Sequence, residues 1–235
     1  MPTALLTALE ERARHRGFDL FGVVDTQRYD AAQPNEMRCS RELVGCGTAI
    51  VLGCGGATVA EVDGPSDLLR MLADAGVRAR LAPPLRSTIR FACLAEAAGF
   101  GTVSPVIHRL LHPRFGPRVS VCAVLLVAGQ PFGSIADASI ADRFQPCCGC
   151  PRPCVPACPA RVHDGHGASD LHRCYDERLH GSCTTDCRVV RSCPVGAAHE
   201  VSPDIERQRH QFDLHRLAVR HGKGLMHALR RILWF

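Results

Sequence analysis

The sequence feature that most constrains the fold is a cysteine-rich stretch at residues 147–194. It holds nine of the chain's 14 cysteines in two runs, CCGCPRPCVPACP and CYDERLHGSCTTDCRVVRSCP. Each run ends in a Cys-Pro pair, Cys158-Pro159 in the first and Cys193-Pro194 in the second. Two cysteine runs that close on Cys-Pro are typical of chains that wrap two [4Fe–4S] clusters.

The spacing within the runs assigns ligands to each cluster. Cys147 and Cys150 suit one tight turn, and Cys154 adds a third thiolate, one residue later than in the usual bacterial run. Cys148 is an alternative first ligand, because its distance from Cys154 restores the usual first-to-third spacing. Proline turns the chain away after each run, so the last cysteine is expected to ligate the other run's cluster. The predicted ligands are Cys147, Cys150, Cys154 and Cys193 for one cluster, and Cys158, Cys174, Cys183 and Cys187 for the other.

Zinc is the main alternative metal for this stretch, because soft thiolates select either iron–sulfur clusters or zinc. Zinc ribbons, however, space two Cys-x2-Cys pairs by ~15–20 residues, and interleaved Cys-Pro endings are not typical of them. The pattern therefore favours iron–sulfur clusters. Four histidines surround the runs and are expected to be solvated or to lie behind the ligands, since eight cysteines already suffice: His163, His166, His172 and His180.

Composition and charge limit the cellular location and the partners expected of this chain. The N-terminal residues lack the apolar core of a signal peptide, so 14 cysteines argue for metal rather than disulfides and for a cytoplasmic protein. The longest apolar run, 119–128, is too short to cross a bilayer and predicts a buried strand. The formal charge of +5 is modest. Two clusters with their thiolates would bring it to roughly +1, so no nucleic-acid partner is expected.

Helical and strand patterns alternate in the first part of the chain. Helices are predicted at 3–16, at 66–76 with Ser66 as N-cap, and at 86–98; strands at 18–24, 48–52 and 119–127; residues 26–45 are expected to be irregular. This predicts an α/β or α+β domain over residues 1–140. Residues 141–203, with few aliphatic side chains, are expected to form a ferredoxin-like domain that needs its metal to fold.

A basic amphipathic helix is predicted for residues 204–235. Apolar residues share one face and basic residues lie off it: Leu214, Leu217, Leu225, Leu229 and Ile232 against Arg216, Arg220, Lys223, Arg230 and Arg231. The simpler interpretation is a helix packed on the protein's own body. The alternative is a partner or membrane-surface contact through Leu233-Trp234-Phe235.

Residues 92–126 carry a resemblance to a known group. Ala95, Ala98, Gly99, Phe100 and Gly101 match an A-x-x-A-G-L-G pattern, and residues 113–118 (PRFGPR) match a following P-E-F-G-x-R pattern. These motifs resemble the stretch ahead of the clusters in epoxyqueuosine reductases and corrinoid reductive dehalogenases. The resemblance implies a corrinoid-binding α/β domain joined to a two-cluster ferredoxin-like domain, with electrons passing through the clusters to a base-off cobalamin.

The chain also departs from that group. Where epoxyqueuosine reductases carry D-T-G-P with the proton-donating Asp, this chain has Leu85-Arg86-Ser87-Thr88. Neither Leu nor Arg donates a proton at neutral pH. The family's C-terminal helical repeats are also missing. These departures argue against epoxyqueuosine as the substrate.

The sequence therefore predicts an iron–sulfur redox protein of the oxidoreductase class, with two [4Fe–4S] clusters that pass electrons to a bound cobalamin or a small substrate. An electron-donor protein is the expected partner. Two alternatives stay open: a two-cluster electron carrier that docks a protein partner, and a zinc-stabilised interaction module.

Overall fold

The computed structural model describes residues 2–56, 64–127 and 143–220. Its central feature is a four-stranded antiparallel sheet in the order β1-β2-β6-β3. The strands of this sheet are β1 (Leu20–Asp25), β2 (Cys46–Cys54), β3 (Ala79–Leu81) and β6 (Ser120–Val127). Two short strands, β4 (Thr102–Val103) and β5 (Leu110–Leu111), form a separate hairpin.

Helices cover both faces of the sheet and then build the cysteine-rich segment. The helices before the segment are α1 (Pro2–His15), α2 (Thr26–Ala31), α3 (Cys39–Glu42), α4 (Gly64–Asp74) and α5 (Phe91–Ala97), with a 3-10 turn at Asn35–Met37. Those in and after it are α6 (Cys154–Ala157), α7 (Leu171–His180), α8 (Arg188–Arg191) and α9 (Pro203–Arg220).

Strands β2 and β6 are buried on both faces, which explains their continuous apolar sequences. In β2, Ile50 and Leu52 pack with α1 and α4, whereas Ala49 and Val51 pack with α2, α3 and α5 on the opposite face. Because side chains alternate along a strand, one apolar run supplies both cores. The result is a three-layer body, with the sheet between two layers of helices.

The mixed α/β class is confirmed, and the sheet of the described residues is antiparallel throughout. The expectation that residues 26–45 are irregular is wrong, because α2 and α3 lie there. The Asp25 carboxylate accepts hydrogen bonds from the backbone N–H groups of Gln27 and Arg28 and so caps α2. The sequence marks Asp25 as a strand end, and its second role as a helix cap is easily missed.

Two other predicted boundaries differ from the structure. Helix α5 begins at Phe91 rather than near residue 86, because the preceding residues form a turn closed on the Pro83 carbonyl. Ser66 lies inside α4 instead of capping it. The domain boundary near residue 140 and the residues after 220 lie outside the described ranges. Within those ranges, no helix is long and apolar enough to cross a membrane.

The cysteine-rich segment joins the body through the motif at residues 113–118. Gly116 has φ of +58° and meets Gly196 backbone to backbone, so a Cβ at Gly116 would collide with the Val195 carbonyl. Arg118 forms a 3.4 Å ion pair with Glu206 on α9. The motif therefore fixes the position of the segment against the sheet, and this position determines where the cysteines lie.

Candidate functional site

A first group of cysteines gathers at the start of α6. Burial raises the pKa of the Cys154 thiol, and the neighbouring Cys193, Cys147 and Cys150 raise that pKa further. The pKa of Cys193 is raised by burial and by the same Cys147 and Cys150. Cys193 is distant in sequence but lies with the three cysteines of the first run. We call Cys147, Cys150, Cys154 and Cys193 the first quartet.

A second group of cysteines lines one cavity of about 610 Å³. Cys158 lies just after α6, Cys174 lies on α7, and Cys187 precedes α8. Cys183 lies in the loop between α7 and α8. We call Cys158, Cys174, Cys183 and Cys187 the second quartet.

The structure places one cysteine of each sequence run with cysteines of the other run, and their role as cluster ligands stays a prediction. The first sequence run contributes Cys158 to the second quartet, and the second run contributes Cys193 to the first. All 14 cysteines are free thiols. Five of them belong to the body, and of these Cys39, Cys46, Cys54 and Cys122 are buried in its core clusters.

Hydrogen bonds to sulfur surround both quartets. The backbone N–H of Arg152 donates to Cys150 Sγ at 3.4 Å, and that of Val162 donates to Cys158 Sγ at 3.4 Å. The Ser104 hydroxyl lies 3.4 Å from Cys147 Sγ. Hydrogen bonds to cysteine sulfur stabilise negative charge on it and are one of the levers that set cluster potentials.

Cys148 differs from its neighbour Cys147. The Cys148 side chain is exposed, whereas Cys147 is partly buried and contacts the packed cluster around Cys154. The burial and the contact with Ser104 favour Cys147 as the inward-facing member of the pair.

Two arginines lie beside the second quartet and share one carboxylate. Arg109 pairs with Asp213, and Arg178, with its side chain 5% exposed, lies 3.9 Å from the same group. Arg178 also donates a hydrogen bond to the Cys174 sulfur, and both arginines interact with Cys187. Burial raises the pKa of Asp213, but the two guanidinium groups outweigh burial and hold that pKa at about 2. The group therefore carries net positive charge next to the thiols.

His210 on α9 lines the same cavity and is 3% exposed. Neither ring nitrogen has a hydrogen-bond partner within the described residues. Burial first, and the charge of Arg178 second, lower the pKa of His210 to about 4. Its imidazole is therefore neutral at pH 7.

Of the four histidines near the cysteine runs, His163 is the one that lines the cavity beside the second quartet. It lines the cavity and shares a 2.8 Å hydrogen bond with the Ser169 hydroxyl. Burial lowers the pKa of His163. It therefore lies beside the second quartet with its Nδ1 already engaged.

The donor set consists of thiols in two groups with N–H···S contacts, which is the chemistry of iron–sulfur sites. Among residues 2–56, 64–127 and 143–220, no three His, Cys, Asp or Glu side chains converge closely enough to hold one ion. A cubane binds each thiolate to a different iron, so its four ligands stand farther apart than those of zinc. The two quartets of partly or fully buried thiols would supply four such ligands to each cluster.

The stretch at 85–88 offers no acid to the cavity. The Ser87 hydroxyl accepts a hydrogen bond from the Ile89 N–H at 3.1 Å, and the Thr88 hydroxyl donates to the Glu36 carbonyl. Both side chains are engaged with backbone, and neither lines the cavity. The proton-donating carboxylate expected from the resemblance has no counterpart at these positions.

Comparisons with solved structures agree with this architecture. The chain superposes on epoxyqueuosine reductase from Bacillus subtilis with a TM-score of 0.59 and 17% identity, covering 88% of this chain and 69% of that one. An epoxyqueuosine reductase with an epoxyqueuosine-modified tRNA-Tyr stem loop gives 0.61 and 15%, covering 88% and 70%. A catabolic reductive dehalogenase in complex with 3-bromo-4-hydroxybenzoic acid gives 0.62 and 17%, covering 96% and 36%.

These likenesses confirm, at the level of the fold, the resemblance carried by residues 92–126. No protein-family model matches the sequence, and no curated protein matches it. The chain spans about 36% of the dehalogenase's length. The fold is thus shared with both groups.

Sequence reasoning missed the charged and imidazole groups of the cavity. Arg109, Arg178 and His210 are far apart in sequence, and no motif links them. One signal was available for His210: it precedes the buried Leu214 by four residues and therefore shares its helix face. The four-residue spacing from Leu214 therefore indicates that the His210 imidazole lies on the buried face of the helix.

Proposed function

We propose that the chain is an iron–sulfur redox protein that binds two [4Fe–4S] clusters and delivers electrons to a molecule held in the cavity beside the second quartet. The observation that carries this proposal is the grouping of eight free cysteines into two quartets, each completed by a cysteine from the other run. The first quartet would hold one cluster and the second quartet the other. When bound, such clusters supply one-electron carriers.

Each quartet has two buried and two half-buried cysteines, so the proposed direction of electron flow rests on the cavity, which opens beside the second quartet. The edge of the first quartet at Cys147 and Cys150 is partly exposed, beside the exposed Cys148. An electron-donor protein would dock at that edge. The second quartet opens into the cavity, where Arg109 and Arg178 offset the negative charge of the thiolates and α9 covers the bound molecule.

The acceptor is proposed to be a small substrate or a corrinoid. The fold likeness supports this class, because the structural neighbours are reductases, and one is described through a mechanism for B12-dependent dehalogenation. The engaged hydroxyls of Ser87 and Thr88 argue against epoxyqueuosine itself. We expect no epoxyqueuosine turnover, and measurable turnover would show that another residue donates the proton.

Metal analysis of anaerobically purified protein tests the proposal directly. We expect a brown protein with about eight iron and eight sulfide per chain, as two cubanes require. Stoichiometric zinc without sulfide would establish the interaction module instead. A titration with cobalamin then separates a corrinoid-reducing protein from a two-cluster carrier, since the carrier would leave the cobalamin spectrum unchanged.

A further inference from the structure

The cavity extends beyond the second quartet. Most of the residues that line it are not cysteines and would not bind a cluster. Its volume of about 610 Å³, part of which a cluster on the second quartet would fill, lies within the ~300–1,000 Å³ range of pockets for small organic ligands. Helices α5 and α9 and strands β5 and β6 supply the other walls. Their apolar lining residues include Phe91, Leu110, Val121, Phe212 and Leu217.

His210 marks the part of the cavity where a ligand would make a polar contact. Both of its ring nitrogens are buried without a partner in the described part of the chain. Leaving a buried polar group unsatisfied destabilises the folded protein, and native proteins contain few such groups. The position shares its helix face with Leu214, where an apolar side chain would pack at no such cost. An imidazole at this position indicates a hydrogen-bonding partner outside the described residues, and we take that partner to be a ligand.

The charges around the cavity indicate the chemistry of that partner. Among the described residues, six arginines line it against three carboxylates: Arg90, Arg109, Arg118, Arg178, Arg209 and Arg216 against Glu177, Glu206 and Asp213. Each carboxylate is already engaged within the chain, with Arg109, Arg118 or Ser182 among the partners. A cluster with four thiolates would remove about two positive charges and leave the balance near +1. A pocket with a positive balance concentrates anions.

We propose that this cavity binds a small organic anion, a carboxylate on an apolar body, and that His210 donates a hydrogen bond to it. The inference rests on the proposed function and names its substrate class. The apolar walls take the body of the ligand, and the arginine-rich lining takes its charge. Arg216, whose guanidinium lies 5.4 Å from the centre of the Phe91 ring, joins the two parts of the pocket.

Calorimetric titration of the anaerobic, cluster-loaded full chain tests the ligand class. Benzoate and hexanoate are the anionic probes, and benzamide is the neutral twin of benzoate. We expect at least one anion to bind and to alter the EPR signal of one reduced cluster, with benzamide at least about tenfold weaker. Equal binding of benzoate and benzamide, or no binding of either anion, overturns the inference. So does a change of the EPR signal by hydroxocobalamin alone, since the occupant would then be a corrinoid.

The variant His210→Leu tests the contact itself, and His15→Leu on the exposed side of α1 is its matched control. We expect His210→Leu to weaken anion binding about tenfold or more while leaving the ligand-free protein as stable or more stable, because two unsatisfied nitrogens are removed. A variant that loses stability but keeps its affinity assigns His210 a structural role and overturns the inference. Protein without iron and sulfide would instead contradict the proposed function, so the two failures are distinguishable.

Discussion

The α/β body and the cysteine-rich segment fill their interiors with different side chains. Most of the largest fully buried side chains pack on the two faces of the body's sheet: Leu9, Ile50, Leu52, Leu68, Leu72, Ile89, Leu94, Leu125 and Leu126 among them. In the segment, the buried cluster contains Cys154, Cys158 and Cys193 beside small aliphatics such as Val162 and Val189. In the interior of the segment, cysteine side chains take much of the space that leucine side chains fill in the body.

The secondary-structure elements of the two regions also differ in length. The segment contains two helices of four residues each, α6 and α8, and such short helices are not stable in isolation. The body contains strands of eight and nine residues that are paired along their length. We therefore expect hydrophobic burial to suffice for the body, and the segment to depend on what its thiols bind.

The largest expected effect follows from removing the iron. Chelation under anaerobic conditions should expose residues 143–200 to proteolysis, because their few aliphatic side chains cannot hold the short helices together. The sheet and its helices should persist as a resistant fragment. Time-resolved proteolysis with mass spectrometry measures both regions in one experiment. Equal resistance of the two regions after chelation would contradict the expectation that only the cysteine-rich segment depends on metal.

The next effect is the loss of one cluster when a crossed ligand is replaced. Cys193→Ser should reduce the iron content from about eight to about four per chain and remove the EPR signal of the first-quartet cluster. Cys158→Ser should remove the other signal. Cys148→Ser is the matched control and should leave the iron content unchanged, because Cys148 is exposed. If Cys193→Ser leaves the EPR signal of the first-quartet cluster intact, the crossed assignment is wrong and each run supplies all the ligands of its own cluster.

A core substitution in the body should have a smaller effect, confined to that region. Leu52 is fully buried in the sheet, so Leu52→Ala should lower the free energy of unfolding by about 2–5 kcal/mol. The iron content should not change, because Leu52 lies away from both quartets. Chemical denaturation followed by circular dichroism gives the first quantity, and metal analysis the second. Loss of iron in this variant would show that the two regions fold as one unit.

The sequence predicted the parts of the molecule that local pattern determines. The apolar run at 119–127 predicted β6, whereas the cluster ligands inferred from the Cys-Pro endings stay a prediction. Helix α2 was missed because Asp25 both ends a strand and caps a helix. The start of α5 was misplaced because the turn before it closes through the Pro83 carbonyl, a contact that no periodicity reveals.

The cavity could not be predicted, for a different physical reason. Arg109 follows the β4 strand, Arg178 belongs to α7, and Asp213 belongs to α9, so their association depends on the tertiary fold. Sequence spacing encodes contacts within one element, such as those of a cysteine run. Contacts among three elements need the packing of the segment against the body, which Gly116 and Gly196 fix.

The smallest expected effect is a change in the potential of the second-quartet cluster. A positive charge beside a cluster stabilises its reduced, more negative form and so raises the reduction potential. Arg178→Gln should therefore lower the potential, and Asp213→Asn should raise it, because the charges of Arg109 and Arg178 are then no longer offset. Shifts on the order of 30–60 mV are expected, since ~59 mV corresponds to a tenfold change for a one-electron couple. Anaerobic EPR-monitored redox titration measures both shifts.

The opposite signs distinguish an effect of charge from an effect of disruption. Both variants break the same buried ion pair, so damage to the fold would move the two potentials in the same direction and reduce the iron content. A charge effect moves them apart at constant iron content. Arg70→Gln, which removes an exposed guanidinium paired with Asp67 on α4, provides the control and should leave both potentials unchanged. If the two variants shift the potential in the same direction with both clusters intact, the arginines beside Cys174 do not set it, and sulfur hydrogen bonds such as that from Val162 become the remaining lever.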